Sequence, residues 1–202
     1  TGNVVDPVKV IDDWGLDAFR YYVVRELAIG PDGNWTDEGF ATRYNAELAN
    51  SLGNLVNRSL SMLHRYREGV LSSPHDELAP EAIAARDKLV EQLRANELQA
   101  GLMTIWSYIA RLNQYVDETA PFKIAKDPEQ AERLGEVLYN LTESCRLLAV
   151  WLQPYLPTTS NRILGQLNLP PDQVNIAEAG WGGLTEGHKI NVPEALFPRR
   201  DK

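Results

Sequence analysis

The sequence predicts an all-α protein, an antiparallel helix bundle with an irregular C-terminal tail. Apolar residues recur at helical spacing along most of the chain, and no stretch alternates with the period of two that is typical of a strand. Residues from Pro170 onward are rich in Gly, Pro and Asn, which favours irregular structure. Hydrophobic residues make up 44% of the 202 residues, so a core of ordinary size can form.

Capping residues mark the first predicted helices. Asp6 before a proline is typical of a helix start, and Gly15 ends this short helix. A second helix is predicted over 16–28, followed by the turn cluster GPDGN at 30–34. Thr36 then caps a long helix that runs to about residue 66, with acidic residues in its first turn.

Prolines divide the remainder of the chain into further helices. They stand at the boundaries of most of the apolar repeats, where a helix interior does not tolerate them. The predicted helices cover 81–95, 97–117, 128–153 and 159–167.

Several functional classes are excluded by composition. The mean hydropathy of −0.33 and the absence of a long apolar run argue against a membrane helix. The first seven residues have neither the basic nor the apolar region of a signal peptide, and without an initiator Met they suggest a piece of a longer protein. Cys145 is the single cysteine, so no intrachain disulfide can form, which fits a core residue of a cytoplasmic protein. One cysteine and three scattered histidines make no common zinc set, and we predict no metal site.

The charge is unevenly distributed. A net charge of −8 argues against a general nucleic-acid coat protein but leaves room for a local site. Residues 43–67 contain four arginines against Glu47 alone, whereas residues 1–38 contain eight acids against three basic residues. The positive charge is therefore concentrated on the segment 43–67.

The long helix has a polar stripe on one side. At 100° per residue, four side chains fall within about 40° of Asn54, and the apolar residues fall on the opposite side. The stripe consists of Asn50, Asn54, Arg58, Ser61 and Arg65 and contains no carboxylate. Amides can bond to base edges, and guanidinium groups can pair with phosphates or stack on bases. A solvated helix face has the same pattern, so periodicity leaves both interpretations open.

A second candidate is Phe122, in the sequence ETAPFK at 118–123. An aromatic residue after proline, outside any helix, can present its ring to an unpaired base, and such stacking contributes about 1–3 kcal/mol per base. The alternative is a hydrophobic plug at a corner between helices. Lys123 and Lys126 add positive charge, which Asp127 and Glu129 offset.

Three segments together resemble the methionyl-tRNA synthetases, which are class I enzymes. Residues 1–7, TGNVVDP, resemble the stretch after the KMSKS signature of that family, and residues 17–26, DAFRYYVVRE, resemble its stem. Residues 190–199, INVPEALFPR, resemble its C-terminal peptide. The first stretch is shared with the isoleucyl, valyl, leucyl and cysteinyl relatives, whereas the Asn-x-x-x-Arg helix and the Leu-Phe-Pro-Arg tail point to methionine.

The resemblance assigns roles to residues of the stripe. An asparagine and an arginine one turn apart read the anticodon in this family, and they match Asn54 and Arg58. The family also stacks an anticodon base on the tryptophan of an Ala-Pro-Trp motif. The match here is Phe122, which keeps a stacking face but has less area and no indole N–H donor. Arg65 is expected to hold the RNA backbone.

The resemblance also implies the organisation of the chain. It predicts a stem over 1–35, a helical anticodon-binding domain over 36–169, and a tail over 170–202 that packs back toward the catalytic side. The full enzyme would join methionine to its tRNA using ATP, while this stretch would bind the CAU anticodon loop of tRNA(Met) without a cofactor or catalytic residues. Its partners would be tRNA(Met) and its own catalytic domain, with no membrane contact. The alternatives are the anticodon domain of a sibling class I synthetase and a helical protein-interaction module that binds no RNA.

Overall fold

The chain folds into an antiparallel bundle of helices followed by an irregular tail, as predicted. The computed structural model describes residues 5–26, 35–171 and 175–200. The α-helices are α1 Pro7–Trp14, α2 Leu16–Glu26, α3 Asp37–Arg43, α4 Asn54–Arg67, α5 Ala79–Arg94, α6 Leu98–Thr119, α7 Pro121–Ile124, α8 Ala131–Leu152 and α9 Pro157–Gln166. A π-helix, Tyr44–Gly53, joins α3 to α4, and a 3₁₀ turn, Pro128–Gln130, precedes α8. The predicted turn at 30–34 and the last two residues of the helix predicted over 16–28 lie outside the described residues.

The predicted helix caps are confirmed. The carboxylate of Asp6 accepts a hydrogen bond from the backbone N–H of Val8 at 3.0 Å. The hydroxyl of Thr36 accepts one from Gly39 at 3.0 Å, which satisfies a donor in the first turn of α3. Gly15 follows α1 with a φ of 92°, a backbone conformation that side chains disfavour.

Helix α8 lies at the centre of the core, since nearly all of its residues from Val137 to Leu152 are buried. Cys145 is fully buried on it, which confirms the prediction of a core cysteine. Four aromatic residues are also buried in the core, namely Trp106, Tyr108, Trp151 and Tyr155. Within the described residues, no helix is both long enough and apolar enough to span a membrane.

The long predicted helix is continuous from α3 to α4, but its middle is a π-helix, which the sequence analysis did not predict. A π-helix has i→i+5 hydrogen bonds, so the 100° projection does not apply to Asn50, although this residue is exposed. The apolar side is nevertheless correct, because every residue assigned to it is buried: Tyr44, Leu48, Leu52, Leu55, Val56, Leu60 and Leu63.

Helix α2 is tied to the corner between α8 and α9 by two side chains. The Asp17 carboxylate accepts hydrogen bonds from the backbone N–H of Thr159 at 2.6 Å and from its hydroxyl at 2.7 Å. Arg20 donates to the carbonyls of Tyr155 and Pro154, both at 2.7 Å. Since Leu156, at the start of α9, provides no side-chain cap, Asp17 supplies one from a different helix.

Replacing Asp17 with alanine should lower the free energy of unfolding by about 1–2 kcal/mol, the usual cost of a lost helix cap. The residue is 6% exposed, so water does not readily replace the bond to Thr159. Urea denaturation followed by circular dichroism would measure the change. Asp12→Ala, at an exposed position of α1, is the matched control and should stay within about 0.5 kcal/mol of the parent. Equal values for the two variants would contradict the capping role.

The tail is bound to the bundle by Glu143, a fully buried residue of α8. Its carboxylate accepts hydrogen bonds from three consecutive backbone N–H groups, those of Gly182, Gly183 and Leu184, at 2.8, 2.8 and 3.1 Å. Arg146 donates to both of its oxygens at 2.6 and 2.9 Å, which balances the buried charge. This group of residues is called the Glu143 anchor below.

The end of the tail joins α9, the π-helix and α1. Arg162 of α9 donates to the carbonyls of Ala195 and Leu196 at 2.7 and 2.6 Å. The Tyr44 hydroxyl donates to the carbonyl of Pro198 at 3.1 Å, and Arg200 lies 5.1 Å over the ring of Trp14. The tail thereby connects the bundle to the segment that the sequence resemblance identifies as the stem.

Candidate nucleic-acid interface

The first turns of α4 present two polar side chains to solvent. Asn54 is the first residue of α4 and is exposed, and Arg58 follows one turn later with 37% of its side chain exposed. Four residues of α-helix rise about 6 Å, so the two side chains project as neighbours from one face. Neither residue belongs to the buried core, so both can reach a ligand.

The C-terminal half of α6 runs beside this part of α4. The Asn113 amide donates to the carbonyl of Ile109 at 3.0 Å and lies 3.5 Å from the carbonyl of Ser51 in the π-helix. One turn further on, a carboxylate oxygen of Asp117 lies 3.9 Å from a guanidinium nitrogen of Arg58. The ridge of α4 is free of carboxylates, as the sequence indicated, but α6 brings one to its edge.

Helix α6 ends in a sharp corner that carries Phe122. Ala120 adopts the left-handed conformation, with φ 44° and ψ 57°, and its N–H bonds to the carbonyl of Val116 at 2.9 Å. Pro121 is buried at the corner, whereas the ring of Phe122 is 43% exposed. The prediction that Phe122 stands outside any helix was wrong, because α7 forms one turn around it. The proline fills the corner, and much of the phenylalanine surface remains accessible.

Two groups of cations flank this surface. Arg65 is exposed on α4, about 10 Å along the axis from Arg58, with its guanidinium 5.7 Å from the centre of the Tyr66 ring. Lys123 and Lys126 are exposed beyond the corner. The negative charge of Asp127 offsets part of their positive charge. Hydrogen bonds from the Gln130 side chain and the Glu129 backbone hold the pKa of the Asp127 carboxyl below the usual value, so the carboxylate form is favoured.

The described residues contain neither a metal-binding cluster nor a reactive thiol. Among residues 5–26, 35–171 and 175–200, no group of three His, Cys, Asp or Glu side chains could hold a metal ion. Burial raises the pKa of the Cys145 thiol to about 12, so the reactive thiolate does not form at neutral pH.

A cleft of about 680 Å³ lies at the other end of the long helix, between α1 and the start of α3. Its lining combines aromatic side chains, Trp14 and Trp35, with the carboxylates of Asp6, Asp13 and Asp37. Carboxylates repel phosphate, so this cleft is a poorer candidate for RNA than the surface around Arg58.

Known proteins similar to this chain identify its family. A family model described as the anticodon binding domain of methionyl tRNA ligase matches residues 73–201. The chain belongs to the methionyl-tRNA ligase family. A second model, described as tRNA synthetases class I (M), matches residues 1–60 of the chain.

Individual methionyl-tRNA ligases match the chain over nearly its whole length. The methionine–tRNA ligase of Clostridium acetobutylicum is 42% identical over 99% of the chain, and that of Bacillus subtilis is 40% identical over 98%. The chain spans 32% and 31% of these relatives, about a third of their length. The methionyl-tRNA synthetase of Mycobacterium tuberculosis in complex with methionyl-adenylate has a TM-score of 0.87 and 34% identity, covering 98% of this chain and 40% of that one. Its apo form gives 0.86 and 33%, covering 98% and 41%.

Helix α6 contributes two polar residues to the surface, Asn113 and Asp117, that were not predicted from the sequence. They are four residues apart, so they share a face of α6, and this face leads directly into the corner with Phe122. That spacing was available in the sequence. It was not informative alone, because it does not say which helix the face meets.

Proposed function

We propose that the chain is the part of a methionyl-tRNA ligase that binds the CAU anticodon loop of tRNA(Met). One observation carries the proposal: Asn54 and Arg58 are accessible on a single turn of α4, beside the end of α6 that leads into an exposed Phe122. Amide, guanidinium and aromatic ring are the groups that recognise unpaired RNA bases. The family description of residues 73–201 supports the same function.

Each group takes a defined role in this proposal. Asn54 contacts a base edge, where its amide can both donate and accept. Arg58 contacts a base or a phosphate, Phe122 stacks on a base, and Arg65 holds the RNA backbone further along α4.

A complete ligase of this family, of which the chain spans about a third in the relatives compared, would attach methionine to tRNA(Met) using ATP in the cytoplasm. In it, residues 1–35 form the stem, 36–169 the anticodon-binding domain and 170–202 a tail that packs back toward the catalytic domain. The contacts of Arg200 with Trp14 and of Asp17 with Thr159 support this arrangement, since they join the tail and the bundle to the stem. We expect residues 1–202 alone to form no methionyl-adenylate.

Binding of anticodon stem-loops tests the proposal. Fluorescence anisotropy at a stated salt concentration would compare a CAU stem-loop with loops in which each of the three bases is replaced. The CAU loop should bind most tightly, and the double variant Asn54→Ala, Arg58→Ala should lose this preference. Equal affinity for all loops, unchanged in the double variant, would favour a protein-interaction module or a different RNA site. Tighter binding of another amino acid's anticodon would favour a sibling synthetase.

Replacing Phe122 with alanine should weaken binding of the CAU stem-loop by about 1–3 kcal/mol, because one stacking platform is lost. Phe122→Trp should strengthen it, since indole offers more stacking area and an N–H donor. The same anisotropy titration measures both changes. Leu98, an equally exposed residue at 43%, supplies the control, and Leu98→Ala should leave the affinity unchanged. An affinity that does not respond to residue 122 would remove the stacking role.

Replacing Asp117 with asparagine should raise the affinity for the stem-loop, because the carboxylate attracts Arg58 and repels phosphate. The side chains are 37% and 76% exposed and 3.9 Å apart, so the effect is small, up to about fivefold. The gain should shrink as salt is added, and titrations at two salt concentrations would measure it. Asp87→Asn, on α5, is the control for a general charge effect. A loss of affinity would mean that Asp117 contributes a favourable contact.

A further inference from the structure

The segment that carries Phe122 is connected to one carboxylate at both of its ends. Residues 120–130 link α6 to α8 and contain Phe122. The hydroxyl of Tyr115, in the penultimate turn of α6, donates to a carboxylate oxygen of Glu77 at 2.7 Å. Arg133, in the first turn of α8, donates to both oxygens of the same carboxylate at 2.8 and 3.1 Å. We call these three residues the Glu77 cluster.

The Tyr115 end of the cluster is coupled to the corner itself. Tyr115 is 1% exposed and tightly surrounded, so a displacement of its ring is transmitted to the end of α6. Its carbonyl accepts a hydrogen bond from the Thr119 hydroxyl at 2.6 Å, directly before Ala120 takes the left-handed conformation. A shift of Tyr115 would therefore move the corner and the ring of Phe122 with it.

Glu77 is itself held in place by its neighbour in sequence. The backbone N–H of Leu78 donates to the side-chain oxygen of Asn140 at 3.0 Å, and Asn140 is completely buried on α8. Arg133 and Tyr115 hold the pKa of the Glu77 carboxyl below its usual value, so it is ionised at neutral pH. The carboxylate is thus a fixed, charged acceptor between α6 and α8.

Other ion pairs nearby do not connect the two ends of segment 120–130. Arg111 of α6 bonds to Glu81 of α5 at 3.2 Å and to Glu118 of α6 at 3.1 Å, so neither pair reaches α8. Arg133 also bonds to Glu136 at 3.0 Å, but both residues lie on α8. In the part of the chain that the structure describes, the Glu77 carboxylate accepts hydrogen bonds from both α6 and α8.

We propose that Glu77 is a positioning residue for Phe122: it holds the two ends of segment 120–130, so that the ring keeps its place at the corner after α6. This inference rests on the proposed anticodon function. The side chains of Glu77 and Arg133 are 42% and 39% exposed, so their ion pair adds little to global stability. We expect the ion pair to strengthen RNA binding instead, because a Phe122 ring that is already in place loses less conformational entropy when a base stacks on it.

A double-mutant cycle on the 202-residue chain tests the proposal. Affinity for a fluorescein-labelled CAU stem-loop is measured for the parent, Glu77→Ala, Phe122→Ala and the double variant, with the thermal midpoint of each. Glu77→Ala should weaken binding about three- to tenfold when Phe122 is present and less than twofold when it is absent. Glu77→Gln, which keeps one acceptor oxygen, should recover part of the loss.

The control is Glu81→Ala, since the Glu81 side chain is also 42% exposed and also bonds to an arginine of this region. It should change affinity less than twofold. Failure of the proposed stacking function would appear as no effect of Phe122→Ala. The positioning role alone is overturned if Phe122→Ala weakens binding while Glu77→Ala has no effect, acts equally in both backgrounds, or is matched by Glu81→Ala.

Discussion

Replacing Arg58 with alanine should weaken binding of the CAU stem-loop by about 1–3 kcal/mol and reduce the salt dependence of binding by about one phosphate contact. The effect is expected to be large because the guanidinium has only one ion-pair partner within the described residues, the exposed Asp117 at 3.9 Å. Such a pair is worth about 0–1 kcal/mol, so RNA displaces it readily.

The experiment is an anisotropy titration at several salt concentrations. Arg58→Lys keeps the charge but loses the planar fork of donors, so it should recover the salt dependence better than the preference for CAU. Arg86→Ala, on α5, removes an arginine that already bonds to Asp87 at 2.7 Å, and it serves as the matched control. An Arg58→Ala variant that binds like this control would exclude Arg58 from the interface.

The second large effect is on stability. Glu143→Gln should lower the free energy of unfolding by about 3–5 kcal/mol, because it leaves Arg146, only 13% exposed, without its counter-charge. The parent carboxylate accepts from three backbone N–H groups and from two nitrogens of Arg146. An amide keeps only one of the two acceptor oxygens, and its NH₂ group would face donors. Side-chain volume is nearly unchanged, so packing does not account for the loss.

Urea denaturation measures this change, and the Glu143 anchor makes a further prediction about the tail. Residues 180–184 should become more sensitive to protease than the helices, since their backbone donors lose an acceptor. Glu132→Gln, on the exposed first turn of the same helix, is the control and should stay within about 0.5 kcal/mol. A loss below 1 kcal/mol in Glu143→Gln would contradict the anchor.

Helix positions were predictable because their signals are local. Caps such as Thr36, prolines and the 3.6-residue repeat act within a few residues of themselves, and α5, α6 and α9 begin and end within two residues of their predicted bounds. The π-helix was not predicted, since the projection assumed α-helical geometry throughout. It is a local departure that the apolar pattern tolerates: Tyr44, Leu48 and Leu52 remain buried in it.

The candidate site also contains residues that could be predicted from the sequence and residues that could not. Asn54, Arg58 and Arg65 share one helix, so their common face follows from their spacing, and the sequence resemblance supplied Phe122. The carboxylate of Asp117 lies on α6, and Glu77 comes from the connection between α4 and α5. Whether these groups meet Arg58 or Tyr115 depends on how helices that are distant in sequence pack, which no local spacing records.

The amino-acid order of this chain was therefore sufficient to predict the all-α class, the polar face of α4 that Asn54, Arg58 and Arg65 share, and membership of the ligase family. The contacts between Asp17 and Thr159, Glu143 and the tail, and Glu77 and both ends of the Phe122 segment emerged only on folding. Each of these contacts joins groups more than 35 residues apart in sequence. The groups are brought together by the burial of apolar surface, and the hydrophobic effect is not directional. Local hydrogen bonding and periodicity are directional, and they can be seen along the chain before it folds.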